Sequence, residues 1–168
     1  QTLAQQAGFP LPAPDPKTRA AWDKKRQGST ILEIATSYFE TQLAAVDSPG
    51  QRYATSRGWE TDTKSAARLG YYNGNHQALL AVLQKASVDR HAPAASALMA
   101  TPGPSLVYPF VQQGQVVYYA VRLLKPASGQ AKAWNPPSDL LGPKPLYFNY
   151  RYHPTAETVM LVEGQGDA

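Results

Sequence analysis

Between Thr30 and Leu43 the apolar residues Ile31, Ile34, Ala35, Tyr38, Phe39 and Leu43 recur at three- and four-residue spacing, which predicts a helix with one apolar face. Thr30 and Glu33 have capping-box spacing at its start, and Ser48-Pro49-Gly50 closes it. Shorter helical patterns follow at about 51–56, stopped by Gly58, and at 62–68, with Gly70 as the stop. Two more lie at 77–85, with Asn75 as N-cap, and at 94–99 before Pro102-Gly103-Pro104. From there the period changes from helical to alternating. Leu106–Phe110 and Gln115–Leu124 are rich in β-branched and aromatic residues and flank the turn Gln112-Gln113-Gly114, which predicts a hairpin. A short strand is expected near Tyr147–Tyr150. Thr158–Val162 is an unbroken apolar run bounded by charge, the pattern of a strand buried on both faces.

Helices first and strands afterwards predict an α+β fold: a helical N-terminal part, then a small mixed β-sheet, then the first strand of an α/β unit. Residues 1–28 stand apart. Pro10, Pro12, Pro14 and Pro16 alternate, and Lys17, Arg19, Lys24, Lys25 and Arg26 follow, which reads as a basic, Pro-rich linker or arm. The organisation expected is therefore an arm over 1–28, a core subdomain over 29–156, and the opening of a further domain over 157–168. No internal repeat is present.

Composition narrows the function. The 168 residues are 43% hydrophobic and 17% charged, which places the chain among globular proteins. The net charge of +4 permits a polyanionic partner without requiring one. There is no cysteine, so disulfides, thiolate metal sites and thiol catalysis within these residues are excluded. His76, His91 and His153 have no metal-ligand spacing. No apolar run approaches the roughly 20 residues of a bilayer span, and the first residues lack signal-peptide character, so a cytoplasmic location is expected. Both ends read as cut points in a longer protein.

Two groups of residues suggest chemistry. The buried run ends in Glu163-Gly164-x-x-Asp167, and acids at the end of such a strand can serve a divalent cation or a proton transfer. The same two residues also suit a turn acid and a helix cap. The second group is Arg122, Lys132, Asn135 and Lys144, among Trp134 and several tyrosines. Cations interleaved with aromatics fit a single-stranded nucleic acid, whose backbone needs charge and whose bases stack. Each of them also fits an ordinary surface cation.

Taken in order, these segments resemble the catalytic core of bacterial-type replicative DNA primases. Ile31–Phe39 resembles that family's first core helix, Tyr53-Ala-Thr-Ser-Arg57-Gly58 its Tyr-Leu-x-x-Arg-Gly stretch, and Arg68-Leu-Gly-Tyr71 its Leu-Gly-Tyr turn. Tyr108-Pro-Phe110, Gly114 and Arg122 are similar to its Phe-Pro-Ile, Gly and Gly-Arg elements. Lys132-x-x-Asn135-Pro136 is similar to Lys-Tyr-x-Asn-Ser/Thr-Pro, and Pro145-Leu-Tyr147-Phe-Asn149 to the Leu-Tyr-Gly/Asn step. Val162-Glu163-Gly164-x-x-Asp167-Ala168 resembles the glutamate motif that opens a TOPRIM domain.

The resemblance implies a DNA-templated RNA polymerase that makes primers, with single-stranded template DNA and nucleoside triphosphates as partners and a replicative helicase as a further one. Glu163 would be the catalytic TOPRIM acid, with Asp167 beside it as a weaker metal ligand. Arg122 and Lys132, with Asn135 and Lys144, would contact template or nucleotide, and Arg57 would be structural. Mg²⁺ or Mn²⁺ would serve the complete enzyme, and this stretch alone would hold none and make no primer. The chain departs from the family where Gly142 and Lys144 occupy the lysine and arginine positions of a Lys-Gly-Arg run. It departs again where Ala120 and Val121 replace the glycine before Arg122 and where Asn135-Pro-Pro replaces Asn-Ser/Thr-Pro. These departures suggest a phage, plasmid or mobile-element variant. A non-catalytic single-strand-binding module and a TOPRIM nuclease or topoisomerase-like enzyme stay open as alternatives.

Overall fold

The computed structural model describes residues 15–145. The expected strands at 147–150 and 158–162, and the opening of a TOPRIM unit, lie outside the described residues. The first helix, α1, runs Pro16–Ala44 and so begins well before Thr30. Asp15 caps it, its carboxylate accepting from the backbone N–H of Lys17 (2.9 Å) and Thr18 (3.1 Å), and Pro16 sits at the first helical position. The boundary expected at 28/29 therefore falls inside a continuous helix, and residues 16–28 are helical rather than extended. Thr30 is no cap: its hydroxyl donates to the Arg26 carbonyl one turn back.

The second half of α1 is its buried part. Ile31, Leu32, Ala35, Phe39 and Leu43 form its buried apolar stripe. Behind it come α2 (Pro49–Ser56), α3 (Thr61–Ala66), β1 (Gly70–Tyr72), α4 (His76–Lys85) and α5 (Pro93–Met99). Then follow β2 (Ser105–Gln112), β3 (Gln115–Leu123), β4 (Ala133–Trp134) and the single-turn α6 (Ser138–Leu141).

The four strands form one sheet in the order β1-β2-β3-β4, with every neighbouring pair antiparallel. The sheet expected to be mixed is thus antiparallel throughout its described strands. β2 and β3 are joined by Gln113 (φ 51°) and Gly114 (φ 76°), a two-residue turn with both centres in the left-handed region, as the right-handed twist of a hairpin requires. Pro109 lies past the last β1 partner on β2, Val107, where a missing N–H deprives no neighbour.

Gly70 belongs to β1 rather than ending α3. A Cβ there would lie 2.5 Å from the Phe39 Cβ, so glycine lets β1 press against α1. What ends α3 is Arg68, which holds a left-handed φ of 52° while Leu69 N–H reaches back to the Lys64 carbonyl at 2.9 Å. Arg68 is kept there by its guanidinium, which donates to Glu33 at 2.7 Å and to Glu40 at 3.1 and 3.2 Å, both on α1. The other Glu33 oxygen accepts the Val116 backbone N–H at 2.8 Å. One carboxylate thus ties α1 to the edges of β1 and β3.

One face of the sheet packs on α1, α4 and α5 through Tyr72, Val107, Tyr119 and Val121. The other face carries Leu106 and Tyr108, packed against Ala54 with Tyr53 and Trp59, and then Phe110, Tyr118 and Ala120.

Candidate nucleic-acid interface

Of the candidate cations, Arg122 and Lys144 sit on or beside this second face. On β3 the side chains alternate, so Arg122 shares its face with Tyr118 and Ala120, while Val121 turns to the helices. Arg122 is half-buried, and its Cζ lies 5.9 Å from the centroid of the Tyr53 ring. α2 supplies that ring, and Trp59 stands edge-on to both Tyr53 (6.3 Å) and Tyr108 (6.4 Å). The guanidinium therefore rests on an aromatic platform that fixes its direction without neutralising it.

Lys132 comes to the same end of the sheet through the backbone. β4 pairs Ala133 with Arg122 and Trp134 with Val121, and the Lys132 carbonyl accepts the Leu123 N–H at 2.8 Å. Its side chain is exposed. β4 is only two residues long and was not expected from the sequence, yet it is what brings Lys132 to the Arg122 end of β3, opposite Leu123. Trp134 anchors the strand from the helical side, 6.2 Å from the Tyr119 ring. Asn135 follows directly and is exposed.

Lys144 is brought elsewhere. Its Nζ lies 5.6 Å from the centroid of Phe110, and Phe110 pairs with Tyr118, four residues before Arg122 on β3. The register sets Ala133 beside Arg122 and Lys132 opposite Leu123, so Arg122 and Lys132 share one end of the sheet but not one face; Asn135 follows β4, and Lys144 is a separate cation further along the sheet. Arg57 is the C-cap of α2, its N–H bonded to the Tyr53 and Ala54 carbonyls at 3.2 Å. Glu163 and Asp167 lie outside the described residues, as does His153.

Sequence reasoning did not single out Tyr53 and Trp59 as the aromatic support of Arg122. The Tyr53-Ala-Thr-Ser-Arg57-Gly58 stretch contained the signal, since its tyrosine lies on one face of a short helix. It also missed the Glu33–Arg68–Glu40 clamp, which joins residues far apart in sequence. Those carboxylates, Glu40 foremost, push the Arg68 guanidinium further above its ordinary range. Burial raises the Tyr118 phenol on the candidate face. Among the described residues no group of three or more His, Asp or Glu side chains could hold a metal ion. No helix among them is long and apolar enough to cross a membrane.

No family model and no curated protein sequence matches the chain. Solved structures do. The RNA polymerase domain of Mycobacterium tuberculosis primase DnaG, in complex with a double-stranded DNA oligomer with a 6-nucleotide overhang, is similar at a TM-score of 0.61 and 20% identity over 71% of this chain. The Aquifex aeolicus primase (zinc-binding and RNA polymerase domains) is similar at a TM-score of 0.56 and 19% identity over 80% of this chain. A DnaG primase catalytic domain bound to single-stranded DNA is similar at 0.51 and 14% over 68%. This chain spans 40%, 34% and 40% of those three chains. A likeness at this level of identity speaks for architecture, and the architecture is that of part of the RNA polymerase core of bacterial-type primases.

Proposed function

We propose that this chain is the template-binding portion of a DNA primase, a DNA-templated RNA polymerase that makes replication primers. The observation that carries the proposal is Arg122, held half-buried against the Tyr53–Trp59–Tyr108 ring cluster in a fold similar to primase polymerase domains, with exposed Lys132 at the same end of the β3–β4 ladder. A guanidinium offers a two-pronged donor to phosphate, and an ammonium adds a mobile charge. Exposed Asn135 and Lys144 extend the same surface to template or nucleotide.

Primer synthesis joins a 3′-hydroxyl to the α-phosphorus of a nucleoside triphosphate with release of pyrophosphate, a reaction commonly assisted by two divalent cations. The described residues do not fit that role, since they gather no carboxylate cluster. Glu163, with Asp167, remains our proposal for the acid. The division of labour is that the described part grips and the acid-bearing part joins bonds.

The test is single-stranded DNA binding by fluorescence anisotropy across a salt series, for the wild-type chain and for Arg122→Ala/Lys132→Ala. Each phosphate contact on a single strand adds about −0.7 to the log–log salt slope, so the double variant should be shallower by about 1.4. A variant with the wild-type slope and affinity would refute the platform.

A further inference from the structure

We infer that the exposed N-terminal half of α1 is a second binding surface for single-stranded nucleic acid, centred on Trp22. α1 leaves the body of the protein at Ser29, whose hydroxyl donates to the Val116 carbonyl at 2.8 Å. Before that point, residues 19–27 are all exposed. Ala21, Lys24 and Lys25 line a groove together with residues of α5 and α6, and the opposite face of the helix, with Arg19, Trp22 and Arg26, is left open to a partner.

The charge of this arm is lopsided. Residues 15–28 hold five cations, Lys17, Arg19, Lys24, Lys25 and Arg26, and two anions, Asp15 and Asp23, a net of +3 in a chain of net +4. Both anions are occupied. Asp15 caps the helix, and Asp23 pairs with Arg26 at 2.7 Å. Among the described residues no salt bridge neutralises Lys17, Arg19, Lys24 or Lys25.

Within this field Trp22 is 60% exposed. Arg19, Trp22 and Arg26 follow one another at three- and four-residue spacing and so form a single stripe along the helix. With Asp23 they line a shallow concavity of about 460 Å³. An indole between two guanidinium groups suits an unpaired base stacked on the ring, with its flanking phosphates held by Arg19 and by Arg26, whose exposed pairing with Asp23 a phosphate would displace. Duplex DNA offers no free base face to the indole. A lipid surface would call for an apolar face, and the arm has one large apolar residue. The inference rests on the reading of the chain as a single-strand binder, but it uses none of the residues of the sheet platform.

The experiment uses the 168-residue chain carrying Trp59→Phe and Trp134→Phe, which leaves Trp22 as the sole indole. Oligo(dT) should quench Trp22 emission, and an abasic oligomer of equal length and charge should not. The same quench should persist when Arg122→Ala/Lys132→Ala is added. In the otherwise native chain, which keeps Trp59 and Trp134 in place, Trp22→Ala should weaken oligo(dT) binding on the order of tenfold. Trp22→Phe should restore most of that loss. Arg19→Gln/Arg26→Gln should make the salt slope shallower by about 1.4. Anisotropy showing tight binding, with Trp22 silent and these variants unchanged, would overturn the arm and leave the sheet platform standing. Equal quenching by both oligomers would overturn base stacking. Absence of any binding to oligo(dT) would overturn both readings together.

Discussion

Removing the same hydroxyl from two neighbouring buried tyrosines should move stability in opposite directions. Tyr72 on β1 and Tyr119 on β3 both lie in the helical-side core, with exposures of 0% and 2%. The Tyr119 hydroxyl donates to the Ala97 carbonyl at 2.8 Å and lies 2.7 Å from the Thr101 hydroxyl, which is itself fully buried. The Tyr72 hydroxyl has no hydrogen-bond partner among the described residues. A satisfied buried hydroxyl contributes about 1 kcal/mol net, and an unsatisfied one costs roughly 1–3 kcal/mol in desolvation. Tyr119→Phe should therefore destabilise by about 1–1.5 kcal/mol. Tyr72→Phe should be neutral or stabilising by up to about 2 kcal/mol, because the ring stays in its edge-on contacts with Phe39 and His76, at 5.5 Å each. At this chain length roughly 3–4 °C accompanies each kcal/mol, so the two variants should melt several degrees apart on either side of wild type. Thermal unfolding followed by circular dichroism reads this directly, with urea midpoints as a check. A Tyr72→Phe variant that loses as much as Tyr119→Phe would mean that the hydroxyl has a partner and that the accounting is wrong.

The same phenols set an alkaline limit. Burial pushes Tyr72 up to about 12 and raises Tyr119 as well, so the folded chain holds these protons more tightly than the unfolded one. Their contribution is complete below about pH 10 and is lost as pH rises from there towards 12; urea midpoints should fall over that window, less steeply in Tyr72→Phe. Gly70→Ala should destabilise by roughly 1–3 kcal/mol in chemical denaturation, because its Cβ would sit 2.5 Å from the Phe39 Cβ and 3.1 Å from the Phe39 carbonyl carbon. Glu33→Ala removes the acceptor of the Val116 N–H and one of the two carboxylates on Arg68. Its side chain is 33% exposed, so the loss should be about 1–2 kcal/mol, seen as a lower urea midpoint with an unchanged slope.

Elements with a strong local signature were legible from sequence. The hairpin was, because alternating β-branched and aromatic residues flank a Gln-Gly turn, and so was α4, because Asn75 caps it through the Ala78 N–H at 3.0 Å. The start of α1 was misread because alternating prolines suggested an extended arm and the Thr30–Glu33 spacing a later start. In the structure Pro16 opens the helix, and Gly28 is carried along inside it with nothing within 4 Å of its would-be Cβ. β1 was missed because three residues carry no period, and the reason for Gly70 is the nearness of Phe39, a contact across some thirty positions of chain. At the candidate site, residue types alone singled out Arg122 and Lys132. That Lys132 reaches the Arg122 end of the sheet depends on a two-residue strand below the reach of pattern reading.

The placement of charge among the described residues bears on the proposed polyanion binding. Several acids are turned to internal work. Asp15 caps α1, Asp89 accepts the His91 N–H at 2.9 Å, and Glu33 and Glu40 enclose Arg68. Arg122 and Lys144 lean instead on ring faces, and a cation over a ring keeps its full charge. Arg68, between two carboxylates, projects almost none. Among the described residues no salt bridge neutralises Arg122 and Lys144 at the sheet or Lys17, Arg19, Lys24 and Lys25 on the α1 arm. In the proposed reading these cations attract phosphate, and the nearby aromatics, Tyr53 with Trp59 at the sheet and Trp22 on the arm, add the component that distinguishes an unpaired strand from other polyanions.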